Sequence, residues 1–382
     1  MSPKFAKTTL LRPVIAGIAW AATIGAGHHP PDNGLLKASL TRPVRACAPA
    51  ADGRFVAATA NELRQLAHCA PAGATIALKP GNYGRFDLSG GNDLTIVSQD
   101  KAAPARFEFL GISSSDRIKI ARLRFTGNNA GLQFRLTISG SRYVEASDLD
   151  FPGTPGRLDD VSMTTVLVRG GSHIELNRLK ISGTPFGISY LDVAGLAIKG
   201  CSINNVRSDG MRGGGVSDLL IAGNRISGFH PAPGDHPDGI QVWTANQKAP
   251  ARNIRIIGNL ITRGDGDAAQ GIFIRDETGH LPYDGIEISG NLIIGSLWNG
   301  IAVSDAANVR VTDNTVLELP GQTSWILMKQ VRDGIASGNR ASVFKFLSPV
   351  HKSRNRSGPI KHSEIEQALG RWKQAAIPDK AQ

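Results

Sequence analysis

Residues 254–261 read IRIIGNLI, and residues 286–293 read IEISGNLI. Each is a short run of alternating aliphatic residues, then a tight Gly-Asn bend, then a second aliphatic pair. The same bend closes IAGN at 221–224, VTDN at 311–314 and IASGN at 335–339. A further strand pattern, Gly-aliphatic-X-aliphatic, recurs as GISY (187–190), GIQV (239–242), GIFI (271–274) and GIAV (300–303). Apolar segments begin at Leu94, Ile118, Val144, Ile174, Leu196, Leu219, Ile254, Ile286 and Val309. The base step is about 22–25 residues, with three longer steps.

Each repeat therefore holds three short strands and no helix. A β unit of that size cannot bury its own apolar face, so it must stack on its neighbours. The pattern predicts an all-β, single-stranded parallel β-helix, a solenoid of about ten coils with strands about 4.8 Å apart. Ile240, Ile272 and Ile301 should form one inner row, and Val242, Ile274 and Val303 another. Asn224, Asn259, Asn291, Asn314 and Asn339 should stack as a hydrogen-bonded ladder at the bend. Upstream coils put Leu123, Leu149, Leu179 and Cys201 there, so the ladder turns apolar. Leucine-rich and helical repeats are excluded by the pattern.

The chain has 382 residues, 44 of them Gly, only 6% aromatic, and a formal charge of +11. Many Gly with few aromatics fits turn-rich β structure. The charge points to an anionic partner, the alternative being a generically basic surface. Residues 1–27 read as a secretory signal: Lys4, Lys7 and Arg12, then the apolar run Val14–Gly25. Cleavage would leave +8 and a secreted or periplasmic chain without a membrane anchor; an uncleaved anchor is the alternative. In an exported chain Cys47 and Cys69 are candidates for a disulfide, and Cys201 reads as a small buried residue. Residues 28–58 read as an irregular lead-in, 59–350 as the β-helix with its N-terminal cap, and 351–382 as a basic tail with a short capping helix. The cap helix is Thr59–Ala70, with Thr59 or Asn61 as N-cap. The C-terminal helix is Ser363–Ala375, with Ser363 and Glu366 spaced as a capping box.

From Thr59 to Asn339 the chain resembles right-handed parallel β-helix proteins of the pectate-lyase-like superfamily. The resemblance rests on the coil pattern and on the helix followed by PAGATI and PGNYG. It implies a right-handed coil, a polysaccharide partner and a groove on the face of the Gly-aliphatic strand. It selects no single enzyme family.

Longer steps mark loops at 150–164, 229–238 and 263–284, which should wall that face. The loop before GIQVW reads FHPAPGDHPD, bringing His236 and Asp238 together. Aligning the strands puts Asp209 and Asp238 in one row. Arg212 and Gln241 share a second row, and Trp243, Arg275 and Lys329 a third. For β-elimination of a uronate, His236 suits the base. Arg212, Arg275, Gln241 or Lys329 suit neutralisation of the carboxylate, and Trp243 suits sugar stacking. Plainer readings exist: turn-shaping Asp residues, Arg212–Asp209 and Arg275–Asp276 ion pairs, and Trp243 packing on a loop. The expected function is a polysaccharide lyase acting on an acidic polysaccharide, as a monomer and without nucleic acid. Alternatives are a uronate C5-epimerase, a glycoside hydrolase using Asp209 and Asp238, and a non-catalytic binding protein. The chain lacks a Gly-His-Gly motif and a paired Asp-Asp at the groove, which counts against the hydrolase. No cofactor or metal is assigned; the GDGD loop with Asp265 and Asp267 could bind Ca²⁺ or simply turn, and Ca²⁺ needs six or more oxygens.

Overall fold

The computed structural model describes residues 47–50, 53–126, 132–153, 158 and 162–376, all within the unit Arg45–Gln382. The predicted signal segment and most of the lead-in lie outside the described residues.

Strands pair in parallel with the equivalent strand of the next turn, which builds three stacks. The first stack contains Phe186–Leu191, Met211–Gly214, Asp238–Trp243, Gln270–Arg275 and the start of Trp298–Thr312. The second contains Ala194–Lys199, Ser217–Ala222, Arg252–Ile257 and Tyr283–Ser289. The third contains Lys180–Thr184, Ser202–Val206, Arg225–Phe229, Leu260–Thr262 and Leu292–Ile294. The nine segment starts read from the sequence fall on one rung of the second stack, from Leu94↔Ile118 through to Ile286↔Val309.

The inner rows form as expected. Ile240, Ile272 and Ile301 are in register and fully buried, as are Val242, Ile274 and Val303 beside them. Burying each such side chain contributes about 1.5–3 kcal/mol. The Gly that opens each first-stack strand is a steric necessity. A Cβ at Gly271 would stand 2.1 Å from the Gly300 carbonyl oxygen, and one at Gly239 would stand 2.8 Å from that of Gly271.

The Asn ladder is continuous. Each Oδ1 accepts the backbone and side-chain N–H of the preceding rung, at 2.9–3.0 Å, from Asn224 through Asn259, Asn291 and Asn314 to Asn339. It runs one rung further than the sequence reading, to Asn355. Upstream, Leu123, Leu149, Leu179 and Cys201 occupy the same column, all buried. Burial pushes the Cys201 thiol up to about 12, so it is inert packing.

The ends differ from expectation in detail. Phe55–Ala57, inside the predicted lead-in, is a strand paired with Ile76–Leu78. Helix α1 spans Ala60–Cys69, Thr59 is its N-cap in a capping box with Glu62, and Leu63 is buried. Cys47 and Cys69 form a disulfide. Val350–Ser353, which carries the β-helix past its expected end at 350 into the basic tail, is a strand paired with Gly334–Ser337. Helix α2 spans His362–Ala376, so Ser363 lies inside its first turn and not before it. It packs on the flank of the third stack, against Leu260, Leu292 and Leu317. No helix among the described residues is long and apolar enough to cross a membrane.

Candidate functional site

The strand Asp238–Trp243 fixes the site because its alternation is enforced by the core. Ile240 and Val242 must point inward, so Gln241 and Trp243 point out and are half-buried. Register then stacks Ser189, Arg212, Gln241 and Phe273 in one outer row. Gly214, Trp243, Arg275, Ser304 and Lys329 form the next. Both rows are as read from the sequence.

The loop ahead of the strand is tied down. Arg207 Nε donates to Asp235 Oδ2 at 2.7 Å, and the Ala232 N–H donates to the same oxygen at 3.0 Å. His236, the next residue, is 70% exposed, and its Nδ1 lies 3.9 Å from Asp238 Oδ2.

Asp209 and Asp238 do meet, but beneath the surface rather than at the edge of an open patch. Asp238 is fully buried and Asp209 nearly so. The Asp238 N–H donates to Asp209 Oδ1 at 2.9 Å. Arg212 Nη1 stands 3.5 Å from Asp209 Oδ2, with its guanidinium flat on the Phe186 ring at 3.3 Å from the centroid. That is the ion pair the plainer reading of Arg212 anticipates. Among the described residues, neither carboxyl oxygen of Asp238 has a hydrogen-bond partner. Burial raises both acids, Asp238 further because the charges of Asp209 and Glu277 face it. Asp209 is held back by Arg212 and by the Asp238 N–H. The two environments differ in kind: Asp238 is pushed further toward its neutral form, while Arg212 and the Asp238 N–H favour charge on Asp209.

Glu277 is the residue that sequence reasoning missed. Asp276 makes a knot: it accepts from the Thr244 hydroxyl, from Thr278 N at 2.9 Å and Oγ1 at 2.7 Å, and from Leu281 N at 2.7 Å. Burial works to raise Asp276, but these bonds outweigh it and bring the carboxyl down to about 2. Asp276 therefore forms no ion pair with Arg275. The knot leaves Glu277 facing His236, Arg275 and Asp238. Glu277 is itself exposed at the surface; partial desolvation raises it, and the charges of Arg275 and His236 oppose that rise. Among the described residues, Arg275 and Lys329 are exposed and form no salt bridge, with Asp305 near both.

Trp243 is partly committed to packing: its indole Nε1 fills space a Cβ on Gly214 would take, 3.2 Å away. Gln241 is braced from beneath, its carbonyl accepting the Tyr190 hydroxyl at 3.1 Å across side-chain-free Gly213. The concavities of about 460 and 700 Å³ lie elsewhere, lined by Tyr143, His173 and Asp218 and by Arg122, Asp148 and Arg178. Asp267, in the GDGD loop, bridges back to Phe229. Among the described residues, no three His, Cys, Asp or Glu side chains gather so as to hold a metal ion.

Residues 164–331 match the family model described as a right handed beta helix region. The three parallel stacks give the described residues a parallel β-helix fold, as the resemblance implied, and residues 164–331 carry the right-handed signature. No curated protein matches the chain. Among solved structures it is similar to an alginate lyase from Paenibacillus sp., with 15% identity, 80% of this chain and 99% of that one covered, and a TM-score of 0.42. It is similar to PfbA, a surface adhesin of Streptococcus pneumoniae, with 13% identity, 78% and 85% covered, and a TM-score of 0.47. It is also similar to a Family 28 exopolygalacturonase of Yersinia enterocolitica, with 10% identity, 76% and 77% covered, and a TM-score of 0.48. None of these similarities assigns an activity to this chain.

Proposed function

We propose that this protein is an exported carbohydrate-active enzyme that cleaves a uronate-containing polysaccharide by β-elimination on the first-stack face. One observation carries the reading: exposed His236 stands over a buried carboxyl pair, with exposed Arg275 and the carboxyl of Glu277 near it and exposed Lys329 two coils beyond Arg275 in the same outer row. Arg275 neutralises the uronate carboxylate, which acidifies the C5 proton. His236 takes that proton, the C4–O bond breaks, and its electron pair leaves with the oxygen as C4=C5 forms. Glu277, exposed at the surface and raised by partial desolvation, returns a proton to the leaving oxygen. Arg212, engaged with Asp209 and Phe186, fixes the charge beneath the site and does not grip substrate. Lys329 binds the polymer further along the stack.

Hydrolysis by Asp209 and Asp238 asks two buried carboxyls to touch the glycosidic bond. Their depth favours elimination or C5 epimerisation, which share the proton abstraction. The test is incubation with pectate, alginate and glucuronan, followed by absorbance of the unsaturated uronide. We expect a signal on at least one polymer and a loss of about 100-fold or more in His236→Ala with folding retained. C5 proton exchange without absorbance would mean epimerisation. Binding without either, or full activity in His236→Ala, would overturn the proposal.

A further inference from the structure

We propose that the second stack carries a separate binding site for a neutral pyranose ring, seated where Gly195 leaves a gap between His173 and Asp218. The opening residues of successive second-stack strands form one column: Tyr143, His173, Gly195, Asp218, Asn253, Gly285, Asn308. All have positive φ, from 54° to 75°. Gly, Asn and Asp are the residues that accept this conformation readily, and an aromatic ring there is uncommon. The column nevertheless holds Tyr143 at φ 54° and His173 at φ 57°, in adjacent coils.

Their rings are stacked, with centroids 4.6 Å apart and planes at 22°. Tyr143 is 52% exposed, one of three large hydrophobic side chains so exposed among the described residues. Tyr143 covers one face of His173. The other face looks toward Gly195, which has no side chain, and then Asp218. Two coil steps separate His173 from Asp218, roughly 10 Å. A flat ring needs about 3.5–4 Å of contact distance on each side, so the gap takes one ring. The floor is Ala197 and Leu220, and the concavity measures about 460 Å³.

The polar groups select the ring. Lys119 is 3.8 Å from Glu145 and Lys199 is 2.9 Å from Glu175, so both cations are already matched. Asp218 accepts from Asn253 Nδ2 at 2.7 Å and keeps lone pairs for hydroxyl donors. With those two pairs matched, Asp218 is the one lining carboxylate left over; it repels a uronate but receives the hydroxyls of a neutral hexose, whose C–H face lies on the imidazole. This site lies on a different stack from the one proposed for elimination, and its test does not depend on that activity.

Affinity electrophoresis through gels holding glucan, galactan or mannan tests it. Wild type should be retarded by at least one of these neutral polymers. Gly195→Asn fills the gap with a residue the column already uses at 253 and 308, so the backbone is kept. Tyr143→Asn removes the platform on the same terms. Each should weaken retardation about tenfold, with unchanged thermal midpoint within a few degrees. No retardation of wild type by any neutral polymer, or equal retardation of both variants and wild type, would overturn the proposal.

Discussion

Asp238 is buried among carboxylates and reached by no donor, and this gives it a measurable signature. In the unfolded chain it ionises near pH 4; in the native protein burial, then the charges of Asp209 and Glu277, push its ionisation upward. Stability from the protonated form is full below the unfolded value. It is lost as pH rises toward the raised native one, because only the unfolded chain releases the proton there. Asp238→Asn removes the titration. Denaturant midpoints at pH 4 and pH 7 should show wild type losing more stability than the variant; parallel losses would mean Asp238 is ionised when folded. Sequence exposes this site only in part. GDHPDG announces itself because it interrupts a repeat, so His236 is legible. The depth of Asp238 is not, since an Asp before Gly reads equally as a turn. Glu277 lies in a loop without period, and only the Asp276 knot, built from residues 244, 278 and 281, aims it.

At the scale of the element, the fold was legible because the repeat states it many times over. One rung misread would contradict its neighbours. Phe55–Ala57 escaped because three residues carry no period, and Asn355 because SRNR puts Arg354 where the other bends have Gly or Asp. The ladder itself makes a prediction. Asn291 Oδ1 accepts two N–H groups from Asn259, and its Nδ2 donates to Ile256 O at 2.8 Å and Asn314 Oδ1 at 2.9 Å. Leu fits the same column at 123, 149 and 179, so Asn291→Leu is tolerable in shape there. It nevertheless strands groups on both sides, at a cost of about 3–5 kcal/mol. Asn355→Ala, at the last rung, strands groups on one side and should cost about 1–2 kcal/mol. Equal costs in urea unfolding would refute a role for two-sided satisfaction.

For the whole molecule, stacked coils touch only their neighbours, so stability is a sum of local terms and need not be uniform. Helix α2 is an exception to that locality. Trp372 Nε1 donates to Gly258 O at 2.9 Å, across 114 residues, and Glu364 holds Arg340 Nε at 2.8 Å. Ala368 is buried with Leu260, Leu292, Ile294 and Leu317, so one helix spans several turns of the third stack. The helix thus acts as a strap along the downstream half and leaves the upstream half untouched. Trp372→Ala should release the strap. Hydrogen exchange should then quicken in strands between 252 and 317, by tenfold or more for a loss of about 1.4 kcal/mol. Strands between 74 and 125 should exchange as in wild type. The first-stack face at 270–275 and 298–304 belongs to the strapped coils, so Arg275 should lose its fixed position together with them. A uniform rise along the chain would instead mean that the solenoid opens as one cooperative unit, with the strap and the candidate site stabilised by the whole stack.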